Sequence, residues 1–110
     1  MKYIIDKHTL DNAVFTYLDI MLGDLEKRKP RYFDGRGIIF AYPDKPYGLF
    51  GWRKDGMLQI YYKLIDEISD VFGLEEQDSI EVINRWVSDR FQLEVNGFSK
   101  MFGALYFELP

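Results

Sequence analysis

The sequence predicts an α+β domain: an N-terminal helix, a three-stranded antiparallel meander, two helices, and a C-terminal strand or hairpin completing a small bent sheet. Three observations carry that prediction. Residues 37–62 place β-branched and aromatic runs between proline and glycine turn pairs, the composition of strands on a pleated, half-buried surface. Leu10 to Met21 and Glu75 to Arg90 instead repeat apolar residues at helical spacing. A chain of 110 residues is one domain, residues 1–110, able to bury roughly two-thirds of its unfolded surface.

Lys2 to Ile5 reads as a short first strand, with Asp6 or Thr9 as N-cap of the helix that follows. Leu10, Ala13, Val14, Tyr17, Leu18 and Met21 form its apolar stripe, and Gly23 stops it. Asp24 to Gly37 is polar, contains Pro30 and two glycines, and reads as a connecting loop. After the meander, Leu64, Ile65, Ile68, Val71 and Phe72 predict a second helix ended by Gly73. A third helix from about Glu75 to Arg90 carries Ile80, Ile83, Trp86, Val87 and Phe91 on one side. Glu75, Glu76 and Asp78 complement its dipole. Gln92 to Val95 alternates, Asn96-Gly97 marks a turn, and Ala104 to Leu109 reads as a returning strand; the loop from Asn96 to Gly103 is too long for a tight two-residue hairpin unless Phe98 to Phe102 is also extended.

Register decides what the meander displays. If Asp55-Gly56 closes a two-residue hairpin, Lys54 lies opposite Met57, Trp52 opposite Gln59 and Phe50 opposite Tyr61. Phe50, Trp52, Met57, Gln59 and Tyr61 then share one face, and Leu49, Gly51, Arg53, Leu58, Ile60 and Tyr62 the other. Both faces are apolar, so the sheet should be covered on both sides, by helices, another subunit or a ligand. The helix stripes should cover one of them, with Trp86 near the centre.

Composition narrows the function classes. An apolar fraction of 47 % and an aromatic fraction of 17 % exclude disorder. The absence of cysteine removes disulfide and thiolate chemistry and fits a reducing interior. Met1 to Asp6 has too short an apolar run for a signal peptide, and no apolar stretch reaches membrane-spanning length. A soluble cytoplasmic protein with no membrane partner is expected. The net charge of −4 is unevenly spread: the middle of the chain is basic, whereas Leu64 to Ile83 contains seven acids and no base.

Several groups invite a functional reading, and each has a plainer one. Lys27-Arg28-Lys29-Pro30-Arg31-Tyr32-Phe33, with Arg36, combines cations for phosphates with rings for stacking; it is equally a solvated loop anchored by its rings. Phe50, Trp52 and Tyr61 would stack unpaired bases, form a subunit interface, or lie in the core under a helix. Asp66, Glu67, Asp70, Glu75, Glu76 and Asp78 lack the alternation and glycine of a calcium loop and suit a solvated helix face better. His8 is the only histidine, so a histidine cluster within one chain is impossible. Ser69, Ser79, Ser88 and Ser99 sit in no nucleophile elbow.

Two resemblances add to this. Lys2-Tyr3-Ile4-Ile5, the helix ending in Tyr17-Leu18-Asp19, and Val82-Ile83-Asn84-Arg85-Trp86-Val87 leading into Phe91, Leu93 and Val95 resemble small uncharacterised proteins of marine bacteriophages. That resemblance implies a host-cell cytoplasmic setting and no catalytic residues. An N-terminal helix followed by bent antiparallel strands is similar in element order to Sm-like RNA-binding proteins, which implies a fold and nothing of function. Gly35-Arg36-Gly37 precedes the meander, where that family carries its Arg-Gly motif late, and the Asp-x-x-Met-Asn pattern of its early strands is missing.

The expected function is a noncatalytic interaction module, without cofactor or metal, self-associating as a small homo-oligomer through an aromatic sheet face. The alternative is single-stranded RNA or DNA binding by Phe50, Trp52 and Tyr61 with Arg31, Arg36 and Arg53. An enzyme is not expected, because a reaction needs convergent polar groups that the chain does not present.

Overall fold

The computed structural model describes residues 7–28, 37–44 and 48–102. Helix α1 (Lys7–Met21) is followed by strands β1 (Glu26–Arg28), β2 (Ile38–Ala41), β3 (Phe50–Trp52) and β4 (Met57–Tyr61). Helices α2 (Tyr62–Phe72) and α3 (Glu76–Phe91) lead into β5 (Gly97–Met101). The α+β class is as expected, with a five-stranded sheet in the order β1-β2-β3-β4-β5. Strands β1 to β4 pair antiparallel, and β5 joins β4 in parallel.

The sheet corrects two expectations. Glu26-Lys27-Arg28 is a strand rather than part of a loop; with no apolar alternation of its own, it is extended because it pairs with Ile39 to Ala41. Gly97 likewise begins a strand rather than closing a turn. The α2–α3 pair supplies the long crossover that a parallel neighbour of β4 requires. The candidate strands at Lys2–Ile5 and Ala104–Leu109 lie outside the described residues.

The helices follow their stripes. Val14 and Leu18 bury the inner side of α1 and Leu22 follows just past its end, while Ala13 and, on α2, Val71, both expected on the stripes, are exposed. Helix α2 starts directly after β4, with Tyr61 as an N-cap that makes no side-chain capping bond. It ends at Gly73, whose left-handed φ of 64° releases its N–H to the Ser69 carbonyl. Helix α3 buries Ile80, Val82, Ile83, Trp86 and Val87 and has Glu76 and Asp78 in its first turn.

These stripes meet one face of the sheet. Phe40 and Phe50, cross-strand partners on β2 and β3, stack with ring centroids 4.6 Å apart. Trp86 meets Phe50 edge-on at 6.2 Å and Phe91 at 5.5 Å. Leu58 and Ile60 complete the strand side of the core. Trp86 is therefore central, as its position on the third helix predicts.

The β3–β4 hairpin differs from the expected one by a single residue. The loop is Lys54-Asp55-Gly56, three residues long: Arg53 N–H donates to the Met57 carbonyl and Gly56 N–H to the Arg53 carbonyl, both at 2.9 Å. Gly56 takes φ 92°, the left-handed third position that such loops use. Phe50 consequently pairs with Ile60, Gly51 with Gln59 and Trp52 with Leu58. A shift of one residue sends a strand's side chains to the opposite face. Tyr61 and Gln59 thus lie across the sheet from Phe50, while Leu58 and Ile60 join it.

Candidate interaction surface

Of the six residues expected to form one site, four are described, and Phe50 and Tyr61 lie on opposite faces of the sheet. Phe50 is buried under α3 among Phe40, Trp86 and Phe91. Trp52 is half-buried on the same face, and its indole N–H donates to the Glu94 carbonyl at 2.9 Å, tying β3 to the segment after α3. Tyr61 projects from the other side. Arg53 binds Asp55 within the hairpin at 2.8 Å, and Arg31 and Arg36 lie outside the described residues. Phe50, Trp52 and Tyr61 do not share one face, because the register that joined them assumed a two-residue loop.

The reverse face of the sheet also bears on the expected oligomer. Ile39 and Ala41 alternate with the core residues Ile38 and Phe40, yet Ile39 is only 1 % exposed and Ala41 is buried. At β2 both faces are therefore covered within one protomer, and a partner chain is not needed to shelter them.

Exposed aromatic area gathers instead along β5. Phe98 and Lys100 alternate on the face that they share with Leu58 and Ile60. Phe98 is partly exposed, and Phe102, just past the strand, is 71 % exposed. The Phe102 ring is nevertheless held: it stacks on Tyr62 with centroids 5.5 Å apart and planes 28° apart, and Tyr62 in turn meets Tyr61 edge-on at 5.1 Å. Lys100 places its ammonium 5.1 Å from the Phe102 centroid, a cation–π arrangement. It also hydrogen-bonds Glu76 at the start of α3. That hydrogen bond, with the charges of Glu76 and Asp66, raises the Lys100 pKa above its ordinary value.

Sequence reasoning allows Phe98 to Phe102 to be extended, as β5 is, but does not single out its rings as a surface. The alternation Phe98, Lys100, Phe102 was legible, but Asn96-Gly97 before it reads as a hairpin turn and drew the expected strand further along. Tyr62, expected on a strand face, opens α2.

The remaining polar candidates have structural partners or none that makes a site. Ser69 and Ser79 hydrogen-bond each other at 2.7 Å across the α2–α3 packing. Glu67 accepts from the Tyr17 hydroxyl at 2.7 Å. Among the described residues no three His, Asp or Glu side chains are placed to hold a metal ion. The side chain of His8 lies outside the described residues. Also among them, no helix is long and apolar enough to cross a membrane.

Fold and surface together define a small α+β protein with a mixed sheet, helices on one face and an aromatic rim at one end. Comparison with protein-family models, with curated proteins and with solved structures finds no match to this chain.

Proposed function

We propose that this protein is a noncatalytic cytoplasmic interaction module that pairs with a second copy of itself through the rim of Tyr62, Phe98, Lys100 and Phe102. The observation that carries this is Phe102: 71 % exposed, yet stacked on Tyr62. A large ring already held in place loses little rotamer freedom on association and offers the kind of area that interface centres favour. The rim also carries opposite charges side by side, Lys100 and Glu76. In a two-fold contact each copy presents the same patch, so the Lys100 of one can exchange partners with the Glu76 of the other. The absence of cysteine supports a reducing compartment, and the resemblance to small bacteriophage proteins would make it a host cell's cytoplasm. Single-stranded nucleic-acid binding would now need a platform other than Phe50, Trp52 and Tyr61.

Sedimentation equilibrium of the full chain tests the proposal. A dimer is expected at concentrations on the order of 100 μM, with Phe102→Ser shifting it to a monomer that still unfolds cooperatively. A wild-type protein that stays monomeric throughout would remove this reading. Salt-sensitive binding of a single-stranded oligonucleotide, lost in Phe102→Ser, would replace it with the nucleic-acid one.

A further inference from the structure

Gly97 opens β5, and its backbone does not call for glycine. Its φ lies outside the left-handed region, and a Cβ there would meet the tip of the Met57 side chain, with Cε 3.3 Å away. The missing side chain has a chemical consequence instead. In an asparagine–glycine pair nothing shields the glycine nitrogen, so it can attack the side-chain carboxamide of the residue before it.

Among the described residues, Asp55-Gly56 and Asn96-Gly97 are the pairs of this type, and they touch each other. Asp55 is secured: Arg53 Nη2 donates to its Oδ2 at 2.8 Å and the Met57 N–H to its Oδ1 at 3.1 Å. The Gly56 N–H, the nucleophile there, donates to the Arg53 carbonyl at 2.9 Å. Asn96 is exposed. Its carboxamide donates to the Asp55 carbonyl at 3.2 Å and its backbone N–H to the Gly56 carbonyl at 2.8 Å. These bonds hold it against cyclisation, and local opening of the hairpin loop releases both.

We propose that Asn96 is a site of spontaneous modification, deamidating to aspartate and isoaspartate when the β3–β4 loop lets go of it. The Gly97 nitrogen, giving its proton to hydroxide, bonds to Asn96 Cγ; the Cγ–Nδ2 bond breaks and the side-chain nitrogen leaves as ammonia. Water then opens the cyclic imide. Opening at Cγ yields aspartate, whereas opening at the main-chain carbonyl routes the chain through Cβ and Cγ and yields isoaspartate. Water replaces ammonia, and no oxidant or cofactor takes part. The new carboxylate cannot donate to the Asp55 carbonyl and adds a negative charge beside the Asp55 side chain. Isoaspartate also inserts a methylene into the backbone just before Gly97, where the β4–β5 register begins at Met57. Deamidation therefore unfastens the hairpin loop from β5. It does not depend on self-association, since no rim residue takes part.

Ageing the full chain for weeks at mildly alkaline pH, followed by peptide mapping and isoaspartate-specific methylation, is the test. A charge-shifted species modified at Asn96 and intact at Asp55 is expected, formed more slowly than in denaturing urea, where the loop protects nothing. Gly97→Ala, which adds the shielding Cβ, should suppress it in urea as well as in native buffer, so its effect does not rest on how well the variant folds. Gly56→Ala, whose Cβ displaces Asn96, should accelerate it several-fold in native buffer and leave the rate in urea unchanged; circular dichroism establishes that this variant is folded, and urea below the wild-type transition should accelerate the reaction in the same way. The modified species, separated by charge, should unfold at a lower urea midpoint than its parent. An Asn96 that stays intact in the aged native protein, modification of Asp55 ahead of Asn96, a native rate unmoved by loop opening, or an unchanged midpoint in the modified species would each overturn the proposal.

Discussion

The indole N–H of Trp86 donates to Asp19 Oδ1 at 2.9 Å, joining a buried ring of the core to a half-exposed carboxylate near the end of α1. The bond spans 67 residues of sequence. A buried indole needs an acceptor, and Asp19 also reaches Arg90 at 3.6 Å. Asp19→Ala should therefore lower unfolding stability by about 1 kcal/mol, chiefly by leaving the Trp86 N–H unpaired. In a double-mutant cycle, Trp86→Phe should cost less in the Asp19→Ala background than in the wild type. Urea titration followed by circular dichroism reads both; additive losses would show that the bond contributes nothing of its own.

The hairpin that re-registers the sheet depends on Gly56. Its φ of 92° suits glycine, and a Cβ there would run into the Asn96 side chain. Asn96 clasps the loop, its backbone N–H donating to the Gly56 carbonyl at 2.8 Å and its amide to the Asp55 carbonyl at 3.2 Å. Gly56→Ala should destabilise by about 2 kcal/mol, combining left-handed strain with displacement of Asn96. Asn96→Ala should cost less, about 0.5–1 kcal/mol, because it removes only the exposed side-chain bond. Chemical denaturation of the two variants tests the order, and a larger loss for Asn96→Ala would contradict it.

How much of this was legible from the residues depends on the kind of signal. Helices α1, α2 and α3 announce themselves through stripes such as Val14-Leu18 and Ile80-Ile83-Trp86-Val87, because burial on one side imposes a period that survives in the sequence. Strands β2 to β4 were legible as apolar runs. Their register was not, since Lys54-Asp55-Gly56 supports loops of either two or three residues and only the pairing partner selects one. Strand β1 has no apolar pattern at all and takes its conformation from β2. The rim was hidden for a different reason: whether Phe98 and Phe102 are covered is a property of tertiary packing, and the strand alternation that holds them is common to core and surface.

The end of α3 offers a stabilising change. Gln92 caps the helix in the left-handed region at φ 55°, passing its N–H to the Ser88 carbonyl, a position where glycine is the usual residue. Relief of the Cβ strain is worth about 1 kcal/mol. Gln92→Gly forfeits the 2.6 Å bond from its amide to the Asp89 carbonyl and adds freedom to the unfolded chain. The balance should be a gain of about 0.5 kcal/mol, seen as a higher urea midpoint at unchanged slope. A lower midpoint would mean that the Asp89 contact outweighs the strain.

Alkaline pH should destabilise the fold through two phenols. Tyr17 donates to Glu67, and that hydrogen bond, with partial desolvation and the Glu67 charge, raises its pKa above the ordinary 10.0. Tyr42, donating to the Met21 carbonyl at 2.9 Å, is raised by burial and by the nearby charges of Asp24 and Asp44. Once the pH passes about 10, the unfolded chain releases these protons while the folded one keeps them, so the unfolded state binds fewer and stability falls with rising pH. The contribution is complete below the unfolded pKa and is lost as the pH climbs through the folded values. Lys100, also raised, acts in the same direction. Urea midpoints measured between about pH 8 and pH 11 should decline above pH 10, and Tyr17→Phe/Tyr42→Phe should flatten that decline. An alkaline loss as steep in the double variant as in the wild type would assign it to groups other than these two hydroxyls.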